Sequence, residues 1–335
     1  MKTRCLVISL CVILLSMPVW GQQSLTVMFF NTENLFDAVD DSLKNDDEFT
    51  PQGSYRWTEK RYWNKLDAVA KVIAAVGDDG LPGIVGLCEV ENDTVLRDLT
   101  ARSALKGASY RYVMTDSPDL RGIDVALLYR RGEFQLTGYE SIPVDISGYS
   151  DSPTRDILHA TGRIASGDTL DIYVCHWPSR IGGEKETEPR RMVAARQVRQ
   201  SVDSVIAVRR KPYIIIMGDL NEGTDCPAVV EGLGAKGIDC GADLPDGELV
   251  TVMDYTGGSY RYQGRWDSYD QFVVSASFLN GLGCSNIVDE KVWRLEFMLE
   301  DDNDYGGKKP LRTFNGRRYQ HGFSDHLPIG LRIEY

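Results

Sequence analysis

The chain has 335 residues, 37 Lys and Arg against 49 Asp and Glu, and a formal charge of −12. Non-specific nucleic-acid binding draws most of its free energy from basic side chains neutralising phosphates; no long basic run supplies that here, so a dedicated duplex-DNA binder is disfavoured while a local basic groove stays open. A hydrophobic fraction of 42% and an aromatic fraction of 10% exclude disorder and collagen-like structure.

Lys2 and Arg4 precede an apolar run from Cys5 to Leu15 broken only by Ser9, and the segment ends Val19-Trp20-Gly21. This predicts a secretory signal peptide over residues 1–21, with Gly21 the last residue removed. An uncleaved anchor is the competing reading, but the apolar core is short for a bilayer span. The mature chain, 22–335, is therefore expected to be exported, periplasmic or extracellular, and to carry no transmembrane segment. Cleavage leaves Cys88, Cys175, Cys226, Cys240 and Cys284, an odd number, so at least one stays unpaired or pairs between chains. Cys88 and Cys175 lie in apolar runs and read as small core residues. Cys226 and Cys240 flank a glycine-bearing loop, where export makes a disulfide a hypothesis.

Leu25 to Phe30 reads as a first strand and runs directly into Asn31-Thr-Glu33-Asn. After an acid-rich loop, Trp63, Leu66, Val69, Ala70 and Ile73 recur at helical spacing and Gly77 provides a stop. A short apolar strand to Leu87 delivers Glu89, and a helix is predicted over Asp93–Ala104. Tyr110–Met114 and Ile123–Tyr129 are further strands, the second buried on both faces; the stretch from Arg131 to Gly162 shows no clear pattern. Thr169–Val174 ends in Cys-His176-Trp-Pro-Ser-Arg180, and Met192, Ala195, Val198, Val202 and Ile206 form the apolar stripe of a helix over Glu188–Val208. Ile214-Ile-Ile-Met217 is a buried strand broken by Gly218 before Asp219-Leu-Asn221-Glu222. Asp270 opens another strand, and Ser324-Asp325-His326 precedes the last. No linker or repeat divides the chain, so one large α/β domain fits the pattern.

Singly, each of these polar residues has a structural reading. Asp219 and Asn221 could cap a turn, and His176 or His326 could be a satisfied core histidine. Their repetition at one strand end after another argues for a common site. Glu91 and Glu222 read as solvated neighbours. Carboxylates and amides with few histidines and no thiolate ligands suit a hard cation, Mg²⁺ or Mn²⁺ with Ca²⁺ also open, rather than zinc. Such ions typically bind through one or two carboxylates plus substrate phosphate oxygens, which points to phosphoryl chemistry.

Asn31-Thr-Glu33-Asn-Leu-Phe, Glu89 after an apolar strand, Gly-Asp219-Leu-Asn221, Tyr-Asp270-Gln-Phe-Val-Val-Ser and Ser-Asp325-His326 occur in the order found in the endonuclease/exonuclease/phosphatase family, and the chain resembles that family from about residue 25 to its end. The resemblance implies a four-layered α/β sandwich of the DNase I-like type, with two packed central mixed sheets flanked by helices. It implies Glu89 as principal metal ligand, with Asn31, Glu33 and Asp325 nearby, and Asp219 activating water with the help of Asn221. His326 would face the scissile phosphate, kept cationic by Asp270, and His176 would contact a phosphate oxygen. Arg121 and Arg180, with Arg190 and Arg191 on the following helix, are candidate phosphate clamps, surface ion pairing being the alternative for the last two. The expected partner is a phosphate ester (nucleic acid, phospholipid head group or small phosphorylated molecule) bound by a monomer. The lead expectation is a nuclease-like phosphodiesterase, with a phosphomonoesterase or a secreted binding module carrying a vestigial site as alternatives.

Overall fold

The computed structural model describes residues 23–78, 80–237, 244–253, 257–280 and 285–335. The leader predicted over 1–21 and the Cys240 half of the predicted disulfide lie outside the described residues. The sheet strands, in chain order, are β1 (Ser24–Leu35), β2 (Ile84–Val90), β3 (Tyr110–Met114), β4 (Asp124–Arg130), β5 (Phe134–Ile142), β6 (Ile157–Ile164) and β7 (Thr169–His176). They continue as β8 (Tyr213–Asp219), β9 (Ala235–Gly237), β10 (Leu249–Thr251), β11 (Asp270–Ser275), β12 (Asn286–Val292) and β13 (Ile329–Glu334). One sheet has the order β12-β13-β1-β2-β4-β3 and the other β5-β6-β7-β8-β11-β10-β9. Both are mixed, because β1 runs parallel to β2 and β7 to β8 while their remaining pairings in the two cores are mostly antiparallel.

Alternation along the strands sets the layers. Val27 and Phe29 of β1 meet Ile215 and Met217 of β8 in the core between the sheets. The residues between them face outward: Met28 and Phe30 pack under helices α1 (Glu59–Ala75) and α2 (Asp93–Ala101), and Ile214 and Ile216 pack under α3 (Glu184–Val208). Burying each such side chain contributes roughly 1.5–3 kcal/mol. The result is the expected helix–sheet–sheet–helix sandwich. Cys88 and Cys175 are buried in it, as predicted. No helix among the described residues is long and apolar enough to cross a membrane.

Two boundaries differ from the periodicity. Helix α3 starts a turn earlier than expected, at Glu184, directly after Gly182 and Gly183 at φ 99° and 117°, so Pro189 is held inside it. Helix α2 stops at Ala101, and the Ser103 hydroxyl caps a separate 3-10 turn over Ala104–Gly107. The unpatterned stretch after Arg131 becomes the antiparallel pair β5–β6, whose β5 is exposed along most of its length because it lies at the sheet edge. Gly218 is required where it stands: a Cβ there would lie 2.3 Å from the Cys175 carbonyl oxygen of the parallel neighbour β7.

Candidate active site

Register brings the polar strand ends together. Across β8, Asp219 pairs with His176 of β7 on one side and Asp270 of β11 on the other, while Asn31 of β1 lies opposite Cys88, next to Glu89. Glu33, Asn34, Glu89 and Asn221 take φ of 52°, 56°, 59° and 50°. Left-handed backbone costs a non-glycine residue on the order of 1–3 kcal/mol. Here it accompanies register shifts near the ends of β1 and β2 and a turn after β8, beside a cleft of 1140 Å³ lined by Asn31, Glu89, His176, Asp219, Asn221 and His326, among others.

His326 is the electrostatic centre. Its Nδ1 lies 2.7 Å from Asp270 Oδ2, which also accepts from the Ser259 hydroxyl, and its Nε2 lies 3.8 Å from Asp219 Oδ2. Burial pulls the imidazole pKa down, but Asp270 and Asp219 more than offset it and hold the value well above 6.5, so the ring is a cation at neutral pH. The Tyr260 ring packs against it at 4.8 Å between centroids. Asp219 is held by Asn31 Nδ2 at 3.0 Å and the Asn221 backbone N–H at 2.9 Å. Burial pushes its carboxyl up to about 6 against the pull of His326. His176 is driven well below 6.5, first by burial and then by Arg155 and Arg121, so it is neutral; its Nε2 lies 3.7 Å from Asp219 and 3.9 Å from Glu89, and its buried Nδ1 has no partner.

Glu89 presents one free oxygen. Its Oε2 accepts from the Asn34 N–H at 2.8 Å, and Oε1 has only His176 Nε2 near it. With the Asp219 carboxylate alongside and no thiolate in the cleft, this donor set fits a hard divalent cation. Asp219, Asp270 and His326 also put one ligand atom each within 4.8 Å of one another. Asp270 Oδ2 is engaged by His326 and Ser259, while its buried Oδ1 has no partner. Asn31 fits a ligand role less directly, since its Oδ1 accepts from the Glu33 N–H at 3.0 Å.

Other predicted residues lie elsewhere or are otherwise occupied. Glu33 does not line the cleft: it accepts from Arg312 Nε at 3.0 Å and the Thr313 N–H at 2.7 Å, with Lys65 Nζ at 4.0 Å. Its neighbours complete its coordination, which corrects the expectation of a metal ligand. Asp325 does line the cleft, paired with Arg312 at 2.9 Å. Arg121 lines it half-exposed. Arg180 lines it too, but its donors go to the Asn221 carbonyl, Glu222 and Glu184, and it lies 4.8 Å over the Tyr269 ring. Arg190 lines the rim and donates to the Tyr149 carbonyl. Arg191 is fully buried against Glu222, so it is no clamp, and Glu222, read as solvated, is 2% exposed between two guanidinium groups.

Two cleft residues gave no signal in the sequence. Arg155 is 6% exposed, bonds Asp119 at 3.3 Å and the Trp177 carbonyl at 2.6 Å, and leaves Nε unpartnered beside His176. It sits ahead of β6 rather than after a strand, and Tyr260 lies in a hairpin (Tyr260–Tyr262 with Arg265–Asp267) far from any polar triplet.

A strand-end cleft that sets an imidazolium beside a buried carboxylate and a second carboxylate with a free oxygen, at one edge of two packed mixed sheets, suits the hydrolysis of a phosphoric ester. The chain belongs to the endonuclease/exonuclease/phosphatase family, whose model matches residues 26–335, and it is a metal-dependent phosphoester hydrolase. Its fold is similar to that of a Bacteroides thetaiotaomicron protein of that family (15% identity, 94% of this chain and 99% of that one covered, TM-score 0.56). It is similar also to a B. thetaiotaomicron mannosyl-6-phosphatase (15%, 93% and 100%, 0.56) and to D. rerio TDP2 complexed with a single-strand DNA product (14%, 92% and 98%, 0.54). No curated protein matches the chain significantly.

Proposed function

We propose that the chain is an exported phosphodiesterase of nuclease type, acting as a monomer with Mg²⁺ or Mn²⁺. The observation that carries this reading is the charge arrangement in the cleft. Each buried cation in the cleft already faces acids: His326 is paired with Asp270 and Asp219, Arg155 with Asp119, and Arg180 with Glu222 and Glu184. A site with little spare positive charge fits the single negative charge of a diester better than the double charge of a monoester.

Asp219, oriented by Asn31 and the Asn221 N–H, accepts the proton of an attacking water. His326 donates to a non-bridging or leaving oxygen, and because charge grows on those oxygens, the imidazolium stabilises the transition state more than the ground state. Neutral His176 positions a further phosphate oxygen opposite it. A divalent cation held by Glu89, with Asp219 beside it and Asp325 in its outer shell, would supply Lewis-acid stabilisation of the phosphoryl oxygens. Export is supported by Lys2, Arg4 and the apolar run that follows.

The test is a panel of single-stranded DNA and RNA, plasmid DNA, sphingomyelin and inositol or sugar phosphates, each with Mg²⁺, Mn²⁺, Ca²⁺ or chelator. Metal-dependent cleavage of a nucleic acid or another diester is expected. Turnover confined to monoesters transfers the assignment to a phosphatase, and no turnover with any metal leaves a binding module.

A further inference from the structure

A second cavity, of 580 Å³, lies on the face formed by the start of α1 and the hairpin that pairs Phe314–Asn315 with Arg318–Tyr319. Arg56, Arg61, Arg317, Arg318 and His321 line it around Tyr319, and no carboxylate does. In a chain of net charge −12 this is unusual placement. Arginines elsewhere find acids: Arg191 and Arg180 share Glu222, Arg209 holds Asp171, and Arg312 holds Glu33 and Asp325. Among the described residues, none of Arg56, Arg61, Arg317 and Arg318 has a carboxylate oxygen within 4.0 Å. Like charges gathered without counterions raise the energy of the free protein, and a bound anion relieves it.

The cations stand on a stiff base. Phe314 packs on Tyr55 at 4.6 Å and on Trp57 at 5.8 Å, and Tyr319 packs on Phe314 at 5.4 Å. Arg61 lies 4.5 Å over the Tyr319 ring and donates to the carbonyls of Tyr55 and Arg56, so it fixes the platform. Arg56 and His321 are held at φ 47° and 59°, which non-glycine residues keep only where the surroundings over-determine them. Arg56, Arg317 and Arg318 are exposed and carry the free charge. Planar guanidinium groups match phosphate oxygens bidentately.

Continuity with the cleft indicates the occupant. A smaller cavity of 190 Å³, with Glu33 and Arg312 in its wall, shares Tyr55 with the basic face. Arg312 is neutralised by Glu33 and by the cleft's Asp325, so the free positive charge lies at the distal end, on Arg56, Arg317 and Arg318. The surface therefore runs from His326 through Asp325 and Arg312 to Arg317 and Arg318. A lone phosphate ester fills one end of that path; a chain of linked phosphates follows all of it. Among the described residues, no large exposed hydrophobic side chain lines this cavity, which argues against a lipid surface. We propose that Arg56, Arg317 and Arg318 form an exosite for the distal phosphates of a single-stranded phosphodiester chain whose scissile group sits at His326. This rests on the nuclease-type reading for its occupant.

The test measures binding of a labelled single-stranded oligodeoxynucleotide of about 15 nucleotides by anisotropy, in chelator and across a salt series. The triple variant Arg56→Gln, Arg317→Gln, Arg318→Gln is expected to lose at least about tenfold in affinity, and its log–log salt slope should become shallower by about 2, at about 0.7 per phosphate contact. Affinity for a trinucleotide and hydrolysis of bis(p-nitrophenyl) phosphate should not change, and the triple Lys variant should keep the parent's slope. Unchanged oligonucleotide affinity and slope in the Gln variant overturn the exosite. So does an equal loss for the trinucleotide, or preferential binding of a sulfated glycan or anionic vesicles at these arginines. Length-dependent binding in an enzyme inert on every diester keeps the exosite and removes the nuclease reading instead.

Discussion

Replacing Asp270 by Asn isolates the charge behind His326. Asp270 Oδ2 accepts from His326 Nδ1 at 2.7 Å and from the Ser259 hydroxyl, while Oδ1 is buried with no partner. An asparagine with its carbonyl on the Oδ2 side keeps both hydrogen bonds and lays its NH₂ where no donor is displaced. Only the charge is lost. At 2.7 Å and an effective dielectric of about 20, the attraction is roughly 6 kcal/mol. The desolvation both groups carry offsets about half of that, leaving about 3 kcal/mol, or about a hundredfold in rate. The pH profile should move as well. His326 is held above its ordinary value, so its cationic form is fully present below about 6.5 and is lost as pH rises through the raised value of the folded protein. Without Asp270 that loss comes at lower pH, and the alkaline limb of kcat shifts toward acid. The assay is kcat against pH on bis(p-nitrophenyl) phosphate at saturating Mg²⁺, with a melting curve to confirm the fold. Activity within about threefold of the parent, with an unmoved alkaline limb, would refute the role given to this pair.

Asp219→Asn should abolish turnover and, in chelator, lose the part of the pH dependence of stability that the parent owes to this carboxyl. That holds whatever the variant's absolute melting temperature, since asparagine can accept only one of the two hydrogen bonds that Asp219 accepts. The parent's carboxyl sits near 6 against an ordinary 3.8, so the folded state binds a proton that the unfolded chain releases. Stability from that group therefore falls as pH rises across this window and stays low above it; calorimetry showing a pH-independent difference between variant and parent contradicts the account. Glu89→Gln should remove the rise in melting temperature that Mg²⁺ or Mn²⁺ gives the parent, with little change in the metal-free melt; a parental metal response in the variant moves the cation elsewhere. Glu222→Ala leaves the fully buried Arg191 without its countercharge and should cost about 3–5 kcal/mol in urea unfolding. Adding Arg191→Met should recover part of that loss, and a single variant as stable as the parent counts against a buried pair.

The sequence by itself determined the buried strands and the positions at which chemistry-bearing side chains follow them. The apolar runs Val27-Met28-Phe29-Phe30 and Ile214-Ile215-Ile216 are short-range properties that mark buried strands, while which face of each meets the other sheet was settled only by packing. Gly218 likewise ends the apolar run just before Asp219, although β8 continues through it and the need for a glycine there, against Cys175 of the parallel neighbour, is visible only in the fold. The tertiary structure alone also decided which charge each charged side chain meets. Glu33 and Glu89 look alike as acids following strands, but Arg312 and the Thr313 N–H, some 280 residues further along, claim Glu33, while Glu89 keeps an oxygen free. Glu222 seemed a solvated neighbour until α3 laid Arg191 across it, and Arg155 joins the cleft through Asp119 and Trp177 rather than through any strand end. Periodicity records the distance to a chain's own neighbours, whereas ion pairs and cavities depend on separations that folding alone sets.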